Sequence, residues 1–272
     1  MDIKKTAGKP FSIRSMPGFA IIAMVCFFSL YMPLAPLVAY SFNAGDNIAL
    51  WEGLSFRWYE AAWQNQQVQD AAIRSLIVAA CASFFATILA TMAALGTTRT
   101  RPYKGQFSIF AMINQPLMVP EIVTAVALLL VVATIKKLTD YHGFAYLIIA
   151  HTAFCIPFAY LPIRARLEGM DLTLETAAAD LYATRWKAFR RVTFPLLLPG
   201  IMAGAMLAFV ISLDDVVITE FVKSAGQDTL PTYMLGQLRR TITPEINAIS
   251  TVLLGISVLL VTLIFFLSRD KK

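Results

Sequence analysis

Charge is scarce in this chain. Asp, Glu, Lys and Arg together make up only 15% of its 272 residues, where a soluble domain carries nearer a quarter. Cysteine is scarce as well: Cys26, Cys81 and Cys155 all lie in apolar runs and none forms a CxxC pair. They read as small buried hydrophobes, not as ligands or a disulfide framework. No GxxxxGK[ST] occurs, so the chain has no phosphate-binding loop of its own, and no HExxH or Ser/His pattern marks a hydrolase. Internal repeats and low-complexity stretches are also missing. The net charge of +6 is modest and fits basic loops on one face of a membrane protein, not a nucleic-acid partner.

What the chain has in excess is apolar sequence, 58% of its residues. A spanning helix needs about 20 apolar residues at a rise of about 1.5 Å each. Six runs come close: Phe19–Phe42, Ala71–Leu95, Phe107–Ile135, Phe144–Pro162, Pro199–Phe221 and Ile246–Leu267. The predicted fold is an all-α membrane protein of about six transmembrane helices. Residues 1–18 form a basic N-terminal segment, 19–267 the transmembrane domain and 268–272 a short tail. The first apolar run is long for a signal peptide and lacks a small-residue cleavage site, so it is expected to remain as the first span.

Basic residues set the orientation. With the N-terminus inside, sixteen of the 23 Lys and Arg residues fall on the inner side, and Arg57, Arg74, Lys136, Lys137, Lys223, Arg239 and Arg240 fall outside. The positive-inside rule therefore places both termini in the cytoplasm. Two long connections remain. The outer one, Asn43–Asp70, holds Trp51, Trp58, Tyr59 and Trp63 and reads as an interfacial belt or short amphipathic helix. The inner one, 164–193, is Ala-rich with spaced charges and should be helical outside lipid. It presents a small-residue face suited to docking in a groove. Pro195 and Pro199 are expected to break the chain before the fifth span.

This inner loop, ETAAADLYA followed by RRVTFPLLLP, resembles the EAA loop in permease subunits of type I ABC importers. The resemblance implies a coupling helix formed by Glu175, Thr176, Ala177, Ala178, Asp180, Leu181, Tyr182 and Ala183, gripping a cytoplasmic ATPase. The family's Glu aligns with Thr176, while Glu175 sits one place earlier. The family's turn-forming Gly aligns with Tyr182, where positive φ would strain a tyrosine, so the loop is expected to be rearranged or continuously helical. Further segments, YMPLAPLVAYSFN, WEGLSFRWYE, LMVPEIV, AFVISLDDVVITEFV, TLPTYMLG and TPEINAISTVLLG, are similar in order to the polyamine (putrescine/spermidine) branch. That likeness implies a second permease subunit forming a heterodimer, two ATPase subunits that carry ATP and Mg, an extracytoplasmic polyamine-binding protein, and a place in the inner membrane. A related importer for another small solute is the alternative.

Read without that likeness, the costly residues are the acids within spans: Glu121, Asp214, Asp215 and Glu220. A charge at the centre of a span costs roughly 3 kcal/mol, and the sequence offers no mid-span Lys or Arg to pair with them. Such a set suits a cationic solute. On one continuous helix Asp214 and Asp215 would point about 100° apart, Asp214 sharing a face with Ile218 and Phe221, Asp215 with Ser212 and Thr219. Either could instead cap a helix break or lie in the outer headgroup layer. Glu121 follows Pro116 and Pro120 and so should begin a new helical stretch. Phe209, Phe221, Tyr160 and Tyr233 could offer aromatic faces to a polyamine or simply pack. Pro244 and Glu245 read as the start of the sixth span, and His151 as a hydrogen-bonded core residue. An ion-coupled secondary transporter would show paired halves, and an aspartyl protease needs carboxylates on facing helices, which an adjacent pair cannot supply. The chain is expected to be a transport subunit and not an enzyme.

Overall fold

The computed structural model describes residues 18–47, 50–101, 103–140, 143–240 and 244–268. The basic N-terminal segment and the tail thus lie almost wholly outside the described residues. The described chain is helical, with one isolated antiparallel bridge between Asn43 and Leu54. Five helices are long and apolar enough to cross a membrane, and a sixth span is available if the bent pair α1 (Phe19–Tyr31) and α2 (Leu34–Tyr40) counts as one. The six runs marked in the sequence all become helical.

Three helices make the core: α4 (Gln66–Thr98), α7 (Ala145–Glu168) and α10 (Phe194–Asp214) pack against one another. The reason is legible in their residues. In lipid no hydrophobic drive separates helix from solvent, so close packing of small side chains must hold helices together. α4 buries Ala71, Ser75, Ala79, Ala82, Ala86, Ala90 and Ala94 at helical spacing. α10 carries Gly200 and Gly204, four apart. A Cβ at Gly204 would lie 2.6 Å from the Ala159 carbonyl oxygen, and one at Gly200 would lie 2.6 Å from the Arg166 Cβ. Those two glycines set the approach of α10 to α7. By contrast α1 buries no residue and presents its apolar side chains outward, as a lipid-facing helix does.

Around this core sit α3 (Arg57–Gln64) in the Trp-rich connection, the successive helices α5 (Gln106–Met118) and α6 (Glu121–Thr139), and α8 (Thr173–Asp180) and α9 (Arg185–Ala188) in the connection 164–193. The short α11 (Val217–Val222), α12 (Leu230–Arg240) and the final α13 (Glu245–Ser268) complete the chain. α11 packs on α6, and α13 on α10. Asn65 caps α4 by accepting a hydrogen bond from the Gln67 amide at 3.0 Å.

One expectation fails here. Pro195 and Pro199 do not break the chain. Pro195 lies inside a helical run that is continuous from Arg185 to Asp214, and the π-helical turn over Phe189–Thr193 just before it accommodates a residue without an N–H. Helix α10 runs on through Pro199.

Candidate solute path and coupling loop

Two of the apolar runs are interrupted, and the interruptions meet because α11 packs on α6. The run Phe107–Ile135 is interrupted at Val119, which is extended (ψ 141°), and α6 starts at Glu121. The run Pro199–Phe221 is interrupted at Asp215, which is also extended (ψ 132°), before α11 begins. The Glu121 and Asp215 carboxyl groups are within reach of each other. The adjacent aspartates therefore do not share one continuous helix. The expected faces, Asp214 with Ile218 and Phe221, Asp215 with Ser212 and Thr219, do not exist as helical faces.

The two aspartates do different work. Asp215 is 6% exposed. Its carboxylate accepts from the Ile218 amide (3.2 Å), the Thr219 amide (2.9 Å) and the Thr219 hydroxyl (2.9 Å). Those amides are the orphan donors of a new helix start, so Asp215 is a buried N-terminal cap. Behind it stands His151, fully buried on α7. Its Nδ1 lies 2.8 Å from the Ser212 hydroxyl and its Nε2 lies 2.9 Å from the Thr219 hydroxyl. With Thr219 Oγ1 donating to Asp215, Nε2–H donates to Thr219, and in the neutral ring Nδ1 accepts from Ser212. The ring clamps both sides of the break.

Asp214 is exposed, and the Ser257 hydroxyl donates to it at 3.5 Å. Glu121 is exposed as well. Among the described residues neither has a Lys or Arg within ion-pair distance. An exposed carboxylate cannot face lipid tails cheaply, so this surface belongs to water or to a second subunit.

The other acid differs. Glu220 is paired, 2.6 Å from Lys223 and 3.9 Å from Arg239. Lys223 lies just past the end of the apolar run, three residues on from Glu220, and Arg239 reaches it from α12. These groups line a polar cavity of about 660 Å³ with Asp70, Arg74 and Asp228. Burial pulls the Lys223 ammonium down, but Asp228 and Glu220 outweigh it and hold that group above the usual lysine value.

The aromatics are mostly core. Tyr160 is fully buried, its hydroxyl 2.9 Å from that of Thr97. Phe209 and Phe221 are half-buried, Phe221 packed against the core. Tyr233 bonds Gln237 and Asn65. Among the described residues no three His, Cys, Asp or Glu side chains gather where a metal could sit.

The loop 164–193 is a helix–turn–helix, neither rearranged nor continuously helical. Tyr182 adopts φ +57° and so takes the left-handed turn that the sequence made improbable for a tyrosine. Its ring meets no steric obstacle because it is 98% exposed. The turn is closed by bonds from the Tyr182 amide to Ala179 and from the Ala183 amide to Ala178. Thr176, Ala177, Ala179, Asp180, Leu181 and Tyr182 are exposed, while Glu175 and Ala178 turn toward the bundle.

Residues 86–270 match the model of the family described as binding-protein-dependent transport system inner membrane component. The chain belongs to this family. Among similar inner membrane components, it is 37% identical over 246 residues to the putrescine transport system permease protein PotI of Escherichia coli (strain K12), covering 89% of this chain and 87% of that protein. It is 35% identical to the spermidine/putrescine transport system permease protein PotC of Haemophilus influenzae, covering 89% and 93%. In solved structures it shares its fold with a chain of a bacterial ABC transporter involved in the import of the acidic polysaccharide alginate. The TM-score is 0.70 at 16% identity, over 94% of this chain and 97% of that one. The same transporter in complex with an alginate-bound periplasmic protein gives 0.71 at 14% identity, over 92% of each chain. The chain is thus a multi-pass membrane permease of the type I ABC importer fold.

Two features of this inner membrane component escaped the sequence reading. Gly200 and Gly204 stood in plain view as a small-xxx-small pair. Arg99, counted only as a loop charge, reaches the coupling loop.

Proposed function

We propose that this chain is one permease subunit of an ATP-driven importer that carries putrescine or spermidine across the cytoplasmic membrane. Its relatives supply the solute class. The single structural observation that supports it is the pair of exposed carboxylates, Glu121 at the start of α6 and Asp214 at the end of α10, beside the place where α11 packs on α6. A polyamine brings ammonium groups separated by methylenes. It needs fixed negative charge in a poorly solvated place and nothing cationic to compete.

In this reading both termini and the loop 164–193 face the cytoplasm. A second permease completes the path as a heterodimer, and two ATPase subunits bind ATP and Mg. An extracytoplasmic binding protein delivers the solute on the side of α12. ATP draws the ATPases together, and the exposed residues of α8 and the Tyr182 turn move with them. The α4–α7–α10 core turns, and the surface bearing Asp214 and Glu121 changes the side to which it opens. The chain supplies no hydrolytic chemistry. Asp215 holds the break in place, while Asp214 and Glu121 give a passing cation its counter-charge.

Reconstitution tests this. The chain, its second permease and the ATPase pair are placed in vesicles with loaded binding protein. ATP-dependent entry of labelled putrescine or spermidine supports the reading, and failure of the chain to assemble with an ATPase subunit refutes it.

A further inference from the structure

We propose that Arg99 is the positioning residue that makes the coupling loop and the three-helix core move as one body, an assignment that rests on the importer reading above. Arg99 ends α4 as its C-cap. Its Nη2 donates to the Leu167 carbonyl at the end of α7, at 3.1 Å. Its Nε lies 3.4 Å from Glu175 Oε1 in the first turn of α8. The same Glu175 oxygen accepts from the Thr193 hydroxyl, at 3.1 Å, where the chain enters α10. One guanidinium and one carboxylate therefore tie the ends of all three core helices to the coupling helix.

The location gives the tie its value. The Arg99 and Glu175 side chains are 18% and 28% exposed, so their attraction is screened less than that of a surface pair. A planar guanidinium can reach a carbonyl and a carboxylate in different directions, which a lysine ammonium does poorly. A second link, from Arg166 Nε to the Leu196 carbonyl at 2.9 Å, binds α7 to α10. Without Arg99 and Glu175, α8 would hang on its connecting turns and its contacts with α9 and the π-helical turn. A push on the loop would then bend those turns before it turned the core. Glu175 in this arrangement faces inward to the bundle and leaves the exposed Thr176, Ala177 and Ala179 and the Tyr182 tip to meet the ATPase.

The test uses the full complex in vesicles, with ATP hydrolysis and polyamine entry measured in the same sample. Arg99→Gln should lower solute carried per ATP at least fivefold. Arg99→Lys should fall between that variant and the unaltered protein. The exchange of both charges, Arg99→Glu with Glu175→Arg, should recover at least half of the loss. Hydrogen exchange of α8 in the full-length chain should quicken at least threefold in Arg99→Gln. Solute per ATP at the unaltered value in Arg99→Gln overturns the assignment. So does a loss that the charge exchange fails to recover, including one in which Arg99→Gln does not assemble. A complex whose unaltered form hydrolyses ATP but carries no polyamine refutes the importer reading instead, and α8 exchange then decides on the tie alone.

Discussion

Replacing Asp215 and replacing its neighbour Asp214 should have opposite consequences. Asp215→Ala removes an acceptor that holds two backbone amides and one hydroxyl, all buried. A lost cap costs about 0.5–2 kcal/mol where water can take its place. Water is excluded here, and each buried donor left without a partner costs about 1–3 kcal/mol. Two orphaned amides, partly relieved by fraying of α11, put the loss at about 3–4 kcal/mol. For a chain of this size that lowers the melting temperature by roughly 10 °C. Asp214→Asn touches only a 3.5 Å contact with Ser257, so stability should change by less than about 0.5 kcal/mol, while polyamine uptake falls at least fivefold. Thermal unfolding of the purified chain and uptake by the complex are measured side by side. Equal melting temperatures for Asp215→Ala and the unaltered chain would refute the cap, and full uptake by Asp214→Asn would refute the counter-charge.

Gly204→Val should loosen the core, because its Cβ would meet the Ala159 carbonyl at 2.6 Å and backbone cannot yield cheaply. A loss of about 3 kcal/mol is expected in thermal unfolding, and a loss below 0.5 kcal/mol would contradict the close approach. Tyr182→Gly relieves a left-handed tyrosine at φ +57°, worth about 1 kcal/mol. Slower hydrogen exchange across residues 173–188 is expected, and faster exchange would show that the turn was not strained. Ala179→Asp adds a charge to an exposed face, so the isolated chain should melt normally while co-purification with the ATPase drops at least fivefold. Normal recovery of the complex would remove this face from the docking surface.

Much of the fold could be read directly. Six apolar runs of spanning length leave lipid few alternatives, because only helices satisfy the backbone there. The helix start at Glu121 was visible from Pro120, and that at Glu245 from Pro244. The helix break at Asp215 was one of two readings that the sequence left open. LDDVV contains neither proline nor glycine, and its residues suit a continuous helix. The hint lay in Asp215 itself: a buried mid-span carboxylate must find donors, and the first amides of a new helix are the nearest supply. The prolines misled in the opposite direction, since a π-helical turn just before Pro195 accommodates it within a continuous helix. Tyr182 shows the same limit. A turn held by its neighbours can impose positive φ on a residue that disfavours it, when the side chain is free in solvent. The ties from Arg99 to Glu175 and from Arg239 to Glu220 are long-range, and no local pattern reveals them, whereas the Glu220–Lys223 pair stands at the i,i+3 spacing that a helix brings together.

Labelled putrescine and spermidine uptake by cells lacking this chain, with and without its return, tests the central claim most directly. Return of the chain should restore uptake that depends on the ATPase partner, and return of the Asp214→Asn form should not. Assembly of a complete complex that leaves uptake of both polyamines at the level of the deleted cells would contradict the claim.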